Sequence, residues 1–181
     1  MIHLWHALSS GPKAPDSVYA VVEVPKGSRN KYEYSKTAGV IKLDRVLSSP
    51  VHYPGDYGFI PQTYYPDNDP LDILVMMNEP SFPGCVIEAR PVAMLRLIDK
   101  GQTDDKILAV PATDPEYDDY LDLDNLPRHF PNMVEHFFRT YKELERNAKV
   151  ESLGWVGAEE AREAIRRAMA LYRESFPPPG I

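Results

Sequence analysis

Three aspartates within six residues are the sharpest chemical feature of this 181-residue chain. They lie in residues 67–72 (DNDPLD), just before a short apolar run that is typical of a buried strand. A regular strand would place Asp67 and Asp69 on one face and Asp72 on the other, but Pro70 indicates a turn that lets all three converge. Converging carboxylates repel one another unless protons or cations neutralise them, and hard divalent cations prefer oxygen ligands. Taken alone, the segment is interpreted as an acidic turn, since Asp, Asn and Pro are turn residues, with a divalent-metal site as the alternative.

A second acidic group lies in residues 99–106 (DKGQTDDK), a pattern that predicts the tip of a hairpin between two strands. Asp104 and Lys106 are two residues apart on the second strand, so they should project from the same face. Asp99 closes the first strand. Taken alone, the segment is interpreted as a solvated hairpin tip, with a second acidic part of a site as the alternative.

Basic and phenolic side chains form a third group of candidate site residues. Lys31 and Glu33 alternate along a predicted strand and share one face, and Arg45 lies near the end of the next strand. Others of this kind are Tyr53, Tyr57, Tyr141 and Lys142. Hydrolysis of a phosphoanhydride needs such groups, because cationic and phenolic side chains can share with metals the neutralisation of a polyanion. It also needs a water acidified by metal and a base within hydrogen-bonding reach of that water.

The charge of the chain is unevenly distributed. Residues 1–66 carry a net charge of +2, residues 67–126 carry −10 and residues 127–181 carry +1, giving −7 overall. This excess of acid argues against a nucleic-acid partner. The acidic run in residues 114–124 has no spacing that aims its carboxylates at one point, so it is interpreted as an exposed loop.

Several classes of protein are excluded by simple features. The single Cys85 cannot form an intrachain disulfide, the N-terminal residues lack the basic region of a signal peptide, and no run of 18 apolar residues predicts a membrane helix. We therefore expect a cytoplasmic protein with no membrane partner.

Short strands followed by two helices must position these side chains. Strands are predicted over residues 17–25, 30–36, 39–46, 71–77, 86–98 and 106–111, whereas residues 51–70 are rich in proline and glycine and predict loops. Apolar spacing predicts helices within residues 131–147 and 158–176, the first with a core stripe that includes Met133, Phe137, Tyr141 and Leu144. This order predicts an α+β, mainly β protein, a barrel or sandwich with helices packed outside. Residues 1–181 are expected to form one domain, with an N-terminal extension over 1–16 and a proline-rich tail over 177–181.

Taken together, these segments resemble the soluble family I inorganic pyrophosphatases of prokaryotic size. The signature segment is DNDPLDI at residues 67–73. Further matching segments follow in the order and spacing of the family, and they are VVEVP, KYEYSK, the pair Asp44-Arg45, HYPGDYGFIPQT, RPVAMLRLID, DDKILAVP and HFFRTYKELE. The resemblance covers roughly residues 17–175, nearly the whole chain.

The resemblance implies a five-stranded, closed OB-like β-barrel with two main helices packed outside. It implies hydrolysis of pyrophosphate to two phosphates with several Mg²⁺ ions per site, in a homo-oligomer, commonly a hexamer. By motif, Asp67, Asp72 and Asp104 would hold one activating metal, with Asp72 reaching a second, and Asp69 would be the general base of the water between them. Asp99 and Asp104 would hold a further metal, and Glu23 would contact a fourth through water.

The same resemblance assigns the substrate side of the site. The phosphoryl oxygens would be bound by Lys31, Arg45, Tyr57, Lys106, Tyr141 and Lys142, with Glu33 and Tyr53 in support. Lys100 departs from the pattern of members that have an acid at this position. Two alternatives stay open, a non-catalytic OB-like module that binds cations or anions and a metal-dependent nucleotide phosphatase.

Overall fold

The structure is a computed structural model that describes residues 3–146 and 149–177. Within these residues, most strands match the predicted segments. The strands are β1 Val18–Val24, β2 Asn30–Ser35, β3 Val40–Val46, β4 Asp56–Phe59, β5 Asp72–Val75, β6 Val86–Asp99, β7 Gln102–Thr103, β8 Lys106–Pro111 and β9 Val150–Gly157. The α-helices are α1 His129–Thr140 and α2 Ala158–Ser175, and two short 3₁₀ turns lie at Pro115–Tyr117 and Leu123–Asn125.

Five strands follow one another in a ring, in the order β1, β4, β5, β8 and β6, and β6 pairs again with β1. All neighbours are antiparallel except β5 and β8, which are parallel. Strand β1 pairs with β6 through Val18–Val21 and with β4 through Val21–Val24, so the ring is offset at β1 rather than strictly closed. Strands β2 and β3 form a separate hairpin. The mainly β, OB-like fold expected from the sequence is confirmed.

Strand β5 shows why its sequence is a continuous apolar run. Leu74 faces the interior cluster that contains Tyr57 and Phe138, whereas Ile73 and Val75 face the cluster that α2 covers. A strand buried on both faces needs apolar residues at every position. This packing fixes the strand whose first residue is Asp72.

Helix α1 is shorter than predicted, and two residues of its expected core stripe are exposed. Val134, Phe137 and Phe138 are buried, and Tyr141 is buried just beyond the last helical turn. Met133 is 39% exposed and Leu144 is 67% exposed, so assigning them to the core was wrong. The helix ends at Thr140, which places Leu144 outside it, and Met133 lies beside the buried face rather than on it.

Three strands were not predicted, and one of them is the two-residue β7 in the segment interpreted as a hairpin tip. Strand β4 lies in the segment that was interpreted as loop, because its prolines and glycines, including Gly58, were taken as turn signals. A Cβ on Gly58 would lie 1.8 Å from the carbonyl oxygen of Val21, so glycine is required there by close packing of β1 on β4. Strand β9 lies between the two helices and pairs along β6. It had no alternation strong enough to predict it.

The acidic loop is mostly exposed, as expected, but it also caps a helix. Asp122 Oδ1 accepts a hydrogen bond from the backbone nitrogen of Ala158 at 2.9 Å, at the start of α2. No helix of the described residues has the length and apolarity needed to cross a membrane. Of the two predicted terminal segments, residues 1–2 and 178–181 lie outside the described residues.

Candidate active site

A cavity of about 480 Å³ collects most of the predicted site residues. Its lining includes seven carboxylates and five lysine side chains. The predicted residues among the lining are Glu23, Lys31, Glu33, Tyr57, Asp67, Asp69, Asp72, Asp99, Asp104, Lys106, Tyr141 and Lys142. These residues come from six strands, from the loops before β5 and β8 and from the segment just after α1, so the ring of strands and the β2–β3 hairpin together bring them to one place.

The turn before β5 folds back on itself and aims its carboxylates. The backbone nitrogen of Tyr65 donates to the carbonyl oxygen of Asp69 at 2.8 Å, and Asn68 adopts a left-handed conformation that asparagine tolerates. The backbone nitrogen of Asp69 donates to Asp67 Oδ1 at 3.1 Å. The convergence of Asp67, Asp69 and Asp72 on one cavity, which the proline-containing turn predicted, is therefore present.

Parallel pairing of β5 with β8 places Asp72 directly opposite Lys106. The Lys106 ammonium donates to Asp104 Oδ1 at 2.5 Å and also to Asp72 Oδ2. The predicted common face of Asp104 and Lys106 is thus confirmed. Asp72 Oδ2 also accepts from the Tyr57 hydroxyl at 2.6 Å. One buried ammonium group therefore balances two carboxylates at the centre of the cavity.

The concentration of acidic side chains in the cavity shifts the pKa values of several of its groups. Burial, with the nearby charge of Asp72, raises the pKa of Asp67 to about 7. Burial is also the main reason that the pKa of Glu23 is raised to about 8. Burial disfavours the charged form of Lys106, yet Asp72 and Asp104 outweigh it and hold the pKa of this lysine well above its usual value. The cavity favours additional positive charge.

The donor set fits a hard divalent cation. Asp67, Asp72, Asp99 and Asp104 offer carboxylate oxygens, the ligand type that such cations prefer. Asp99 Oδ1 is buried and has no hydrogen-bond partner among the described residues, whereas its Oδ2 accepts from Lys142 at 2.5 Å. Within residues 3–146 and 149–177, no three acidic, histidine or cysteine side chains already stand at coordinating separations. Asp72 and Asp104 are both hydrogen-bonded to the Lys106 ammonium.

The basic residues of the hairpin lie in a chain of ion pairs. Lys31 pairs with Glu33 and lies 3.3 Å from Asp44 Oδ2. Arg45 is opposite Lys31 in the β2–β3 register and donates to Asp44 at 2.7 Å and to Glu145 at 2.9 Å. These contacts hold the ends of Lys31 and Arg45 close to the cavity.

Two predicted residues, Arg45 and Tyr53, are not among the described residues that line the cavity. Arg45 is held by Asp44 and Glu145 beside it. Tyr53 is buried behind Tyr57, with ring centres 5.3 Å apart. Tyr53 therefore contacts Tyr57 from outside the cavity, and its expected supporting role stays a prediction.

Seven lining residues were not predicted as site residues, namely Trp5, Tyr34, Lys36, Phe59, Pro70, Lys100 and Gln102. Lys36 pairs with Asp69, and its Nζ lies 5.4 Å from the ring centre of Trp5. Strict alternation places Lys36 on the face opposite Lys31, but β2 ends at Ser35 and the turn redirects the next side chain. Trp5 is buried in the N-terminal extension, where no periodic pattern was available to reveal it.

An OB-like ring that carries oxygen donors for divalent cations beside lysine and tyrosine side chains defines a metal-dependent hydrolase of phosphate compounds. The family model described as Inorganic pyrophosphatase matches residues 20–173. The chain belongs to the inorganic pyrophosphatase family. The expected resemblance and the expected enzyme class, an inorganic diphosphatase, are confirmed, and the two alternatives are not favoured.

Individual relatives agree with this assignment. An inorganic pyrophosphatase of Haloferax volcanii is 55% identical over 176 residues, which is 97% of this chain and 99% of the relative. Soluble inorganic pyrophosphatase 3 of Arabidopsis thaliana is 49% identical over 95% of this chain and 79% of its own length. The crystal structure of the inorganic pyrophosphatase from Thermus thermophilus aligns with a TM-score of 0.91 at 44% identity, over 94% of this chain and 99% of that one. Members of this family are metal-dependent enzymes.

Proposed function

We propose that this chain hydrolyses inorganic pyrophosphate to two phosphate ions with Mg²⁺ as its metal and Asp69 as the general base. The observation that carries the proposal is the convergence of seven carboxylates and five lysines on one cavity. A site that must bind both divalent cations and a polyanion needs both kinds of side chain.

In this proposal, the metal ligands come from the turn and strand at residues 67–72, from the hairpin at residues 99–104 and from β1. Asp67, Asp72 and Asp104 would hold one Mg²⁺, with Asp72 shared by a second. Asp99 and Asp104 would hold a further ion, and Glu23 would reach a fourth through water. When bound, Mg²⁺ would neutralise pyrophosphate oxygens and make the attacking water more acidic.

The remaining residues would bind the substrate and stabilise the transition state. Lys31, Lys106 and Lys142 are charged groups at the cavity wall, and Arg45 lies beside them. With the hydroxyls of Tyr57 and Tyr141, they would bind the phosphoryl oxygens, whose negative charge shifts during transfer. Glu33 and Tyr53 would position Lys31 and Tyr57.

Asp69 suits the role of base because of its surroundings. Its side chain is 55% exposed and stands apart from the buried pairs that hold Asp72 and Asp104 to Lys106. As water attacks phosphorus, its proton would pass to Asp69, the new P–O bond would form, and the bridging P–O bond would break with its electron pair leaving on the second phosphate. Lysine side chains would stabilise the charge of that phosphate.

We also propose that residues 1–181 form a single domain that is cytoplasmic, binds neither nucleic acid nor membrane, and assembles as a homo-oligomer, in the family's hexameric form. Exposed apolar side chains, Leu43 and Val46 on β3 and Phe82 in the loop before β6, support self-association. Sedimentation velocity at several protein concentrations tests this, and a monomer at all concentrations would contradict it.

Release of phosphate from pyrophosphate with Mg²⁺, compared with EDTA and with ATP as substrate, tests the main proposal. We expect rapid release from pyrophosphate with Mg²⁺, none with EDTA, and little from ATP. Absence of release from pyrophosphate would overturn it.

A further inference from the structure

A buried carboxylate that does not line the cavity joins the three acidic segments of the site. Asp105 is 7% exposed and is the residue just before β8. Its neighbours Asp104 and Lys106 both face the cavity. Alternation sends its side chain to the opposite side of the chain. Asp105 thus belongs to none of the groups that would touch metal or substrate.

Both oxygens of Asp105 are engaged. Oδ2 accepts a hydrogen bond from the Tyr65 hydroxyl at 2.6 Å, and Oδ1 accepts from the backbone nitrogen of Leu97 at 3.1 Å. Leu97 makes a second hydrogen bond to this segment, because its carbonyl oxygen accepts from the backbone nitrogen of Asp104 at 2.9 Å. Leu97 is two residues before Asp99 on β6. One carboxylate therefore ties the segment of Asp104 to the strand of Asp99.

Tyr65 extends this network to the third segment. Its backbone nitrogen donates to the carbonyl oxygen of Asp69, and its own carbonyl oxygen accepts from Asn68 at 3.0 Å. Tyr65 is thus built into the turn that aims Asp67 and Asp69. Its ring packs against the apolar cluster under α2, which restricts the hydroxyl to one position.

We propose that Tyr65 and Asp105 form a positioning pair that sets the spacing between the turn of Asp67 and the strands of Asp99 and Asp104, and thereby sets the affinity for divalent metal. This inference rests on the proposed function, because it assumes that those three aspartates are ligands. Neither residue would touch the metal. The pair would act by holding mutually repelling carboxylates at a fixed separation before the cation arrives.

Calorimetric titration of Mg²⁺ into the full-length protein, without substrate, tests the pair through a readout that does not depend on turnover. Tyr65→Phe removes one hydroxyl, and we expect Mg²⁺ to bind about 10-fold more weakly. Asp105→Asn keeps an acceptor for Leu97 and can still bond Tyr65, so it should lose less affinity than Asp105→Ala. Should Asp105→Ala fail to fold, Tyr65→Phe still decides the question.

Tyr172→Phe is the matched control. It removes another largely buried tyrosine hydroxyl, which lies 2.6 Å from His6 Nδ1 and contacts none of the three segments. Both tyrosine variants are expected to lose some thermal stability, but Tyr65→Phe alone should lose Mg²⁺ affinity. Equal Mg²⁺ affinity of Tyr65→Phe and wild-type protein would overturn the pair as a positioning device. Absence of Mg²⁺ binding by the wild-type protein would instead overturn the proposed ligands, and this inference with them.

Discussion

Lys36 and Asp69 form an ion pair at the exposed edge of the cavity, with 41% and 55% of their side chains accessible. Pairs this exposed contribute about 0.2–1 kcal/mol, so the contact is easily broken. Lys36 also donates to the carbonyl oxygen of Asn68 at 3.2 Å, which keeps the ammonium near Asp69 when the pair opens. The proposed base is therefore restrained without being buried, unlike Asp72 and Asp104.

Asp69→Asn tests the base. The amide cannot accept the proton of the attacking water, so we expect kcat to fall by about 10²–10⁴-fold. Mg²⁺ binding, measured by calorimetry, should stay close to that of the wild-type protein because Asp69 is not among the proposed ligands. Asp119→Asn, in the exposed acidic loop, is the control and should leave both properties unchanged. Near wild-type turnover at neutral pH would remove Asp69 from this role.

Lys142→Ala tests the substrate side. The Lys142–Asp99 pair is largely buried, with 15% of each side chain exposed, and the substitution leaves the Asp99 carboxylate without this partner. We expect a higher KM for pyrophosphate and about a 10²-fold lower kcat, from steady-state kinetics at saturating Mg²⁺. The comparison is Lys13→Ala, which removes an exposed ammonium that does not line the cavity and should leave kcat/KM close to that of the wild-type protein. If the two variants behave alike, the distinction between their sites is wrong.

Lys106→Met tests whether one ammonium substitutes for metal. Truncating one partner of a buried ion pair typically costs about 3–5 kcal/mol, and here it leaves Asp72 and Asp104 without their shared counter-charge. We expect the metal-free variant to melt well below the wild-type protein in EDTA. Mg²⁺ should then raise its Tm by more than it raises that of the wild-type protein, because the cation replaces the missing charge.

Differential scanning calorimetry with EDTA and with Mg²⁺ measures both effects for Lys106→Met. Lys13→Met serves as a control, since its ammonium is exposed and does not line the cavity. Identical Mg²⁺ stabilisation of Lys106→Met and wild-type protein would contradict the interpretation that Lys106 occupies the place of a cation.

Gly58→Ala tests the close approach of β1 and β4. A Cβ at Gly58 meets the backbone of Val21, which has no flexible end to move aside, so we expect the free energy of unfolding to fall by about 3 kcal/mol or more. Gly84→Ala is the control. It has open space around its Cβ but a left-handed backbone, so it should cost only about 1–2 kcal/mol. Urea denaturation compares them, and equal losses would mean that the strands can separate at little cost.

The acidic part of the site was predictable because local chemistry determines it. The proline-containing turn and the two-residue spacing of Asp104 and Lys106 act over a few residues, and both predictions agree with the structure. Strand β4 and the position of Lys36 were not predictable in this way. Gly58 is explained by a strand more than 30 residues away, and Lys36 is redirected by the residue at which β2 ends.

Trp5 shows a second limit. It is held by a hydrogen bond from its ring nitrogen to the carbonyl oxygen of Thr63 at 2.8 Å, a partner that nothing near it in the sequence indicates. Long-range contacts of this kind leave no periodicity in the chain. The same holds for β9, whose place beside β6 is set by tertiary pairing rather than by its own pattern.

The parallel pairing of β5 with β8 also has a kinetic consequence. Asp72 and Lys106 become neighbours only when the chain between them, which includes all of β6, has closed as a loop. Pairings between distant segments slow folding, because the chain loses the entropy of a large loop before the contact stabilises it. Enzymatic activity should therefore return only with the slowest refolding phase that leads to the native state. Stopped-flow refolding with a coupled phosphate assay would detect this, and activity that precedes that phase would contradict it.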